Sequence, residues 1–568
     1  MNVEKKTLIT AFLINGSLII LFSWKIYWDL PPETQHTVIW SFPVGVTLFI
    51  AGLLLRRNAK FYNGVGNKLQ NIGAWLDVSS LQAFLFVTSP LYAILAINAA
   101  GFWIKMRSPY VAVTAWLLGI TLACWGSWKF TEAKPPLSKT TLVWFAVVTA
   151  LAFLVRGLVT GEIPILLTGD EASAGISAID YAKGAWNNIF ITSWYSFPSL
   201  FSFIQSLNVG ILGNTVAALR IPSAITGAAT VGIVYLCGKA MFGERTGIFA
   251  ALILAASHFH IHFSRLGLNN IWDGLWFTIT IGALWYGWKT QFRWAYLIAG
   301  LGLGFSQYFY ASSKALIGIL FVAAVFTFLY QRSQFRQASP NFVAAAMVAL
   351  VIFIPLIWYY SAEPNALFAP FARVSILNQS NPSGASTWNF LFKQLPTSLG
   401  AYTHIQSVDW YSPGTPLLRP LAAVFFFIGL AALCLEDRDS RLLFLTLWLV
   451  AFAFINALSS YYGPAAQRYV ASAPACSLVA GYGLHKISEK LSRLWRRGKN
   501  IIIGASYLLL IVMMISDLSF YFLEYTASTY FDELTSNGMA AYQFANYLKD
   551  QPDGTQVVFM HNPRMSSN

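Results

Sequence analysis

The sequence predicts an all-α polytopic membrane protein, and three observations lead to it. Of the 568 residues, 56% are hydrophobic and only 11% are charged, with a mean hydropathy of +0.56, a composition far from that of soluble domains. Apolar runs of roughly 17 to 25 residues, each long enough to cross ~30 Å of hydrocarbon as a helix, recur along almost the whole chain. Aromatic residues reach 16%, and YFY (308–310), WYY (358–360) and YY (461–462) stand at run ends, where such side chains form an interfacial belt. Backbone groups in lipid must satisfy one another, so each run is read as helix.

Taken in order, spans are expected near residues 8–24, 37–55, 82–104, 109–127, 140–159, 218–238, 247–263 and 272–288. The series continues near 294–310, 315–331, 341–360, 420–435, 442–459, 467–485 and 500–521, about fifteen spans in all. The first run follows MNVEKK without a small-residue cleavage site, so it reads as an uncleaved anchor. FPSLFSFIQSLNVGILG (197–213) is read as a helix in the outer interface, because counting it as a span would invert every later loop. The tail pairs a helix-like run, MAAYQFANYLKD, with the turn signal QPDG and the strand-like TQVVFMH. That predicts the start of a small C-terminal α/β extracytoplasmic domain in a chain that stops early.

Orientation follows from charge. With a cytoplasmic N-terminus, the inner loops include RRNAK (56–60), KPPLSK (134–139), QRSQFRQ (331–337) and KISEKLSRLWRRGK (486–499). These loops and their neighbours hold roughly 23 of the 37 Lys and Arg residues, as the positive-inside rule requires. The scheme puts TGDEASAG outside, with the loop 361–419 and the tail from about Phe522. It also accounts for the net charge of +14 without nucleic acid. The four cysteines, Cys124, Cys237, Cys434 and Cys476, lie inside apolar runs without metal-like spacing, and read as small core residues.

The most informative segment is TGDEASAGISAIDYAKG (168–184), where two adjacent carboxylates, Asp170 and Glu171, stand as the chain leaves an apolar run. Two readings compete. Gly169-Asp170 could cap the helix that follows, with both acids favoured by its dipole. Alternatively Asp170 stands at the mouth of a cavity and takes a proton from an acceptor hydroxyl. Asp180, further along, reads as a solvated helix residue.

Several outer turns each carry one cation: Arg265, Lys314 and Arg468, with Arg220 at the outer start of another span. Separated cations on a charge-poor face suit a phosphate, although each alone also reads as a side chain snorkelling to headgroups. In HFHIH (258–262), only His258 and His262 share a helical face, and the glutamate of a zinc-protease helix is missing. Metal binding there, with Asp170 and Glu171 as further candidate ligands, stands below interfacial packing or substrate hydrogen bonding by these histidines.

From about Thr140 onward the chain resembles the GT-C superfamily of membrane glycosyltransferases, in the branch of protein O-mannosyltransferases and the lipid A aminoarabinose transferase. The resemblance rests on GDEA (169–172), LRIPSAITGAATVGIVYLCGKAMFG (219–243), HIHFSRLGLN (260–269), YFYASSK (308–314) and QRYVASAP (467–474), in that order. It implies an inverting transferase of a hexosyl or pentosyl group from a polyprenyl-phosphate donor to a protein, lipid or glycan acceptor on the extracytoplasmic side of a prokaryotic plasma membrane. It further implies Asp170 as base with Glu171 in support, and donor phosphate contacts at Arg265, Lys314, Arg468 and Arg220. His260, His262, Tyr308 and Tyr310 would line the substrate, and some relatives use a divalent metal while others do not.

The resulting plan has a four-span N-terminal extension (1–139) and a catalytic core (140–521) with an active-site loop at 160–217. An extracytoplasmic segment (522–568) completes it. The rival reading is a secondary transporter or flippase. Such proteins bury ionisable groups near the midplane in paired repeats, whereas here the clearest charge within a span is Arg156, near an outer end, and no matching halves are visible.

Overall fold

In the computed structural model, the described residues are 3–132, 138–377, 387–408, 411–436, 439–460, 463–528 and 533–552. Among them every long element is a helix and none is a strand. The helices begin with α1 (Val3–Asp29), α2 (Ser41–Arg57), α3 (Ala59–Leu76), α4 (Ser80–Ala100), α5 (Pro109–Gly126), α6 (Lys139–Gly157) and α7 (Gly169–Ala182). Next come α8 (Leu200–Leu212), α9 (Val216–Phe242), α10 (Glu244–Ala256), α11 (His258–Ser264), α12 (Asn270–Thr290), α13 (Arg293–Ser306), α14 (Ser313–Tyr330) and α15 (Arg332–Ala362). The series closes with α16 (Pro364–Ala372), α17 (Thr387–Gly400), α18 (Pro420–Leu435), α19 (Ser440–Ser459), α20 (Ala473–Leu494), α21 (Lys499–Ser519) and α22 (Glu533–Lys549).

Among the described residues, nine helices are long and apolar enough to cross a membrane, or eleven if each of two bent pairs is one span. The bent pairs are α2 with α3, at 116°, and α10 with α11, at 63°. Four further expected spans are helical but fall short of that test, because α13 and α18 have only 14 and 16 residues and α12 and α20 are long but less apolar. The stretch 197–213, expected to lie in the interface, forms the 13-residue α8, too short to span. TQVVFMH, the second half of QPDG, most of KPPLSK and Tyr461–Tyr462 lie outside the described residues.

The chain divides into two compact units. One comprises Met1–Leu137, Gly184–Leu200 and Trp276–Arg373; the other comprises Ser138–Lys183, Phe201–Leu275 and Val374–Asn568. A unit boundary therefore falls at 137–138, beside the division expected at 139–140, while residues 276–373 group with the N-terminal helices. In the first unit α1, α2, α3 and α4 share a core of Leu8, Phe12, Leu55, Leu69 and Phe84. Arg293 is buried there and ties four segments together, donating to Asn341 Oδ1, the Ser127 carbonyl and the Leu76 carbonyl.

In the second unit α18 meets α20 through small residues. A Cβ at Gly483 would collide with the Phe425 carbonyl, and one at Gly429 with that of Val479. Such close approach is how helices associate in lipid, where tails offer no hydrophobic contrast. The same unit holds α6, α7, α9 and α11, the elements around the acidic pair.

Candidate functional site

Helix α7 starts because Thr168 caps it. The Thr168 side chain accepts from Glu171 N at 3.1 Å, and Glu171 Oε2 accepts from Thr168 N at 3.2 Å, a reciprocal capping box. The capping role expected of Gly169-Asp170 thus belongs to the Thr168–Glu171 pair, one residue to either side. The T-x-x-E spacing at 168–171 was the sequence signal for it.

Glu171 is fully buried and uses both oxygens. Oε1 accepts from Arg220 Nε at 2.8 Å and from Gly267 N at 2.6 Å, and Oε2 accepts from Arg220 Nη2 at 3.1 Å as well as from Thr168. Arg220, itself wholly buried, also donates through Nη1 to the Thr160 and Pro164 carbonyls and through Nη2 to that of Leu166. The loop leading into α7 is therefore wrapped around one guanidinium.

Arg265 does the same for the end of α6. Its Nε donates to Ile163 O (3.0 Å), its Nη1 to Val155 O (2.7 Å) and Arg156 O (3.2 Å), and its Nη2 to Leu158 O (2.8 Å) and Val159 O (3.1 Å). Some of these are carbonyls a helix C-terminus leaves unpaired. A guanidinium has five N–H donors, and in both Arg220 and Arg265 all are engaged within the protein. Both residues, expected at a donor phosphate, are corrected to struts of the loop 155–171: neither has an N–H left to offer. Arg156 completes the frame, bonding the Ala152, Leu254 and Ala255 carbonyls, Ser264 Oγ and His260 Nδ1.

This network explains the three histidines of α11. His260 is buried against Arg156 rather than lining a substrate space. His258 and His262 share a face, as expected from their spacing, and both meet Tyr411: His258 Nδ1 lies 2.8 Å from its hydroxyl, and the His262 ring stacks on it at 4.2 Å. Among the described residues no three His, Cys, Asp or Glu side chains come together as a metal site. Glu171, committed to Arg220, has no oxygen to spare for one.

Asp170 is the exception to all this pairing. Among the described residues its carboxylate has neither a hydrogen-bond nor an ion-pair partner, although it is only partly exposed. Burial and then the adjacent Glu171 charge raise its pKa from 3.8 to about 6. Held on the first turn of a capped, braced helix, it is a carboxylate left unpaired by the described residues, and its pKa is raised toward neutrality.

The remaining candidates are divided between the two units. Arg468, on a short 3-10 turn (Ala466–Arg468), donates to the Ser459 carbonyl in the second unit. Lys314 belongs to the first unit, where its Nζ lies 5.9 Å from the centre of the Tyr360 ring. Tyr308, expected to line a substrate, is corrected to a core residue: it is fully buried and donates to the Ile352 carbonyl at 2.8 Å. Tyr310 stays half-buried with its ring 5.2 Å from that of Phe197.

Residues 196–359 match the family model described as dolichyl-phosphate-mannose-protein mannosyltransferase. The chain resembles the GT-C membrane glycosyltransferases. The matched segment of this GT-C-like chain contains Arg220, the three histidines, Arg265, Tyr308, Tyr310 and Lys314, and leaves Asp170, Glu171 and Arg468 outside it. No curated protein matches the chain in sequence. Among solved structures, ArnT from Cupriavidus metallidurans bound to undecaprenyl phosphate is 15% identical over 72% of this chain and 76% of its own, with a TM-score of 0.45. The oligosaccharyltransferase AglB from Archaeoglobus fulgidus, in complex with an inhibitory peptide and a dolichol-phosphate, is 15% identical over 73% of this chain and 58% of its own, with a TM-score of 0.46.

Proposed function

We propose that the protein is an inverting glycosyltransferase that moves a sugar from a polyprenyl-phosphate carrier to an acceptor hydroxyl on the extracytoplasmic side, with Asp170 as the base. The observation that carries this reading is the contrast within the acidic pair. Glu171 is saturated by Arg220, Gly267 and Thr168, while Asp170 beside it has no partner among the described residues and a raised pKa. The mannosyltransferase family match supports a polyprenyl-phosphate donor.

In the proposed reaction the acceptor oxygen attacks the anomeric carbon from the face opposite the phosphate. Its proton passes to Asp170, the bond from the anomeric carbon to the phosphate oxygen breaks, and polyprenyl phosphate departs with its electron pair. A phosphate is already a good leaving group, so cations that stabilise its charge suffice in place of a general acid. Arg468, in the same unit as Asp170, takes that role, now that Arg220 and Arg265 are committed elsewhere. Glu171 acts through the backbone, fixing the turn that presents Asp170. The transferred group is a hexose or a pentose, and the acceptor a protein, lipid or glycan.

Two measurements test this. Transfer of radiolabelled sugar from polyprenyl-phosphate donors by the protein in proteoliposomes should be detectable, and its complete absence across hexosyl and pentosyl donors would sink the reading. The pH profile of kcat/KM is the second. A base must be ionised, so the rate should fall on the acid side through about pH 6, as protonation of Asp170 removes it. A limb near pH 4, the range of an unperturbed carboxylate, would remove Asp170 from the role.

A further inference from the structure

The N-terminal helices contain a cleft that the transfer reaction does not use. An open groove of about 450 Å³ runs between α1, α4 and α5, within the size range of small-molecule and lipid sites. Its axis follows from contacts at its two ends. Lys6, Leu81 and Trp125 mark one end, where Ser80 donates to Glu4 at 2.9 Å and Gln82 to the Trp125 carbonyl at 3.0 Å. Leu18, Tyr92 and Leu118 mark the other. The distance from Lys6 to Leu18 along α1 is ~18 Å at the helical rise of 1.5 Å per residue, about the length of one fatty-acyl chain.

The walls suit such a chain. Ile14, Leu85 and Leu122 are apolar, and the polar side chains in the deep part satisfy one another, since Tyr92 donates to Asn15 Oδ1 at 2.8 Å and Asn15 donates to the Ala11 carbonyl at 3.0 Å. Nothing there demands a polar ligand. The mouth is different. Lys5 lies 4.6 Å over the Tyr62 ring of α3, and Leu55 of α2 packs with Leu8, so the exposed Lys6, Arg56, Arg57, Lys60 and Lys68 gather at the same end. The acids at this end are Glu4, bonded to Ser80, Asp77, paired with Lys129, and Glu132, bonded to Arg293 N. Trp125 is partly exposed beside them, the side chain expected at headgroup depth.

We propose that this cleft is a specific site for an anionic phospholipid, with one acyl chain between α1, α4 and α5 and the phosphate at Lys6 under the basic end of α2 and α3. Amphipathic α3, bent 116° from α2, lays its lysines beside that headgroup.

Native mass spectrometry of the full chain with added phosphatidylglycerol or phosphatidylcholine tests it. One phosphatidylglycerol should be retained per chain in preference to phosphatidylcholine, and Lys6→Gln should reduce that preference about fivefold. Ile14→Trp, at an exposed position on the groove wall, should abolish retention with its melting curve unchanged, while Ile211→Trp in α8, far more exposed, should retain lipid as wild type does. Equal retention of the two lipids, or retention undiminished in Ile14→Trp, overturns the proposal. So does a dimer that Ile14→Trp dissociates, which would give the cleft to a second copy of the chain.

Discussion

Asp170→Asn is expected to lower sugar transfer by about 10²–10⁴-fold, the usual contribution of a positioned base, while the protein melts at the same temperature or slightly higher. The stability half of this result follows from the direction of the pKa shift. A carboxyl whose folded pKa is raised from 3.8 to about 6 binds its proton more tightly in the native state than in the unfolded chain. Its contribution to stability is therefore fully present below about pH 4 and is lost as pH rises through about 6. At neutral pH the ionised form weighs against the fold, and an isosteric amide removes that weight along with the repulsion from Glu171. Partial exposure keeps the gain small. A residue retained at a cost to stability is more simply explained by chemistry than by packing. Initial rates in proteoliposomes and melting curves on the same preparation check both halves. Wild-type transfer by Asp170→Asn would remove the base assignment, and a fall in melting temperature alongside lost activity would make Asp170 a structural residue.

The helices were legible because lipid forces them to be. Hydropathy locates α1, α6, α9 or α21 without knowledge of any contact, since the backbone has no other way to satisfy itself there. The bend between α2 and α3 was harder. Residues 59–76 carry Lys60, Asn63, Asn67 and Lys68, which lower the mean hydropathy and made RRNAK read as a loop, yet Phe61, Val65 and Leu69 recur at helical spacing and pack into the core of the first unit. The role of each cation near a run end was not legible at all. A sequence shows a charge near a run end, but whether Arg265 meets a ligand or the carbonyls of residues 155–163 depends on backbone atoms about a hundred positions away. Asp170 could be singled out because an acid just outside a span is unusual, whereas its difference from Glu171 lies in partners that composition does not encode. Only the T-x-x-E spacing hinted at it.

Arg220→Ala should therefore destabilise the protein by about 3–5 kcal/mol, the range for breaking a buried ion pair by removing one partner. Both side chains are completely buried, and the loss would strand the Glu171 carboxylate together with the carbonyls of Thr160, Pro164 and Leu166. A second variant separates this frame from an ordinary ion pair. Replacing both members of a buried pair by apolar residues is often neutral or stabilising, so Glu171→Met/Arg220→Met would recover stability if charge pairing were all that mattered. Here it should not recover fully, because three carbonyls remain without donors, each costing about 1–3 kcal/mol when buried. The unfolding midpoint in a detergent titration, with sugar transfer measured below it, gives both readouts. If Arg220→Ala unfolds like wild type but binds the polyprenyl-phosphate donor weakly, Arg220 contacts the phosphate and is no strut. If instead stability falls and the folded fraction transfers sugar slowly at unchanged donor KM, the residue works through the loop that presents Asp170, as an arginine with all its donors engaged in backbone and carboxylate must.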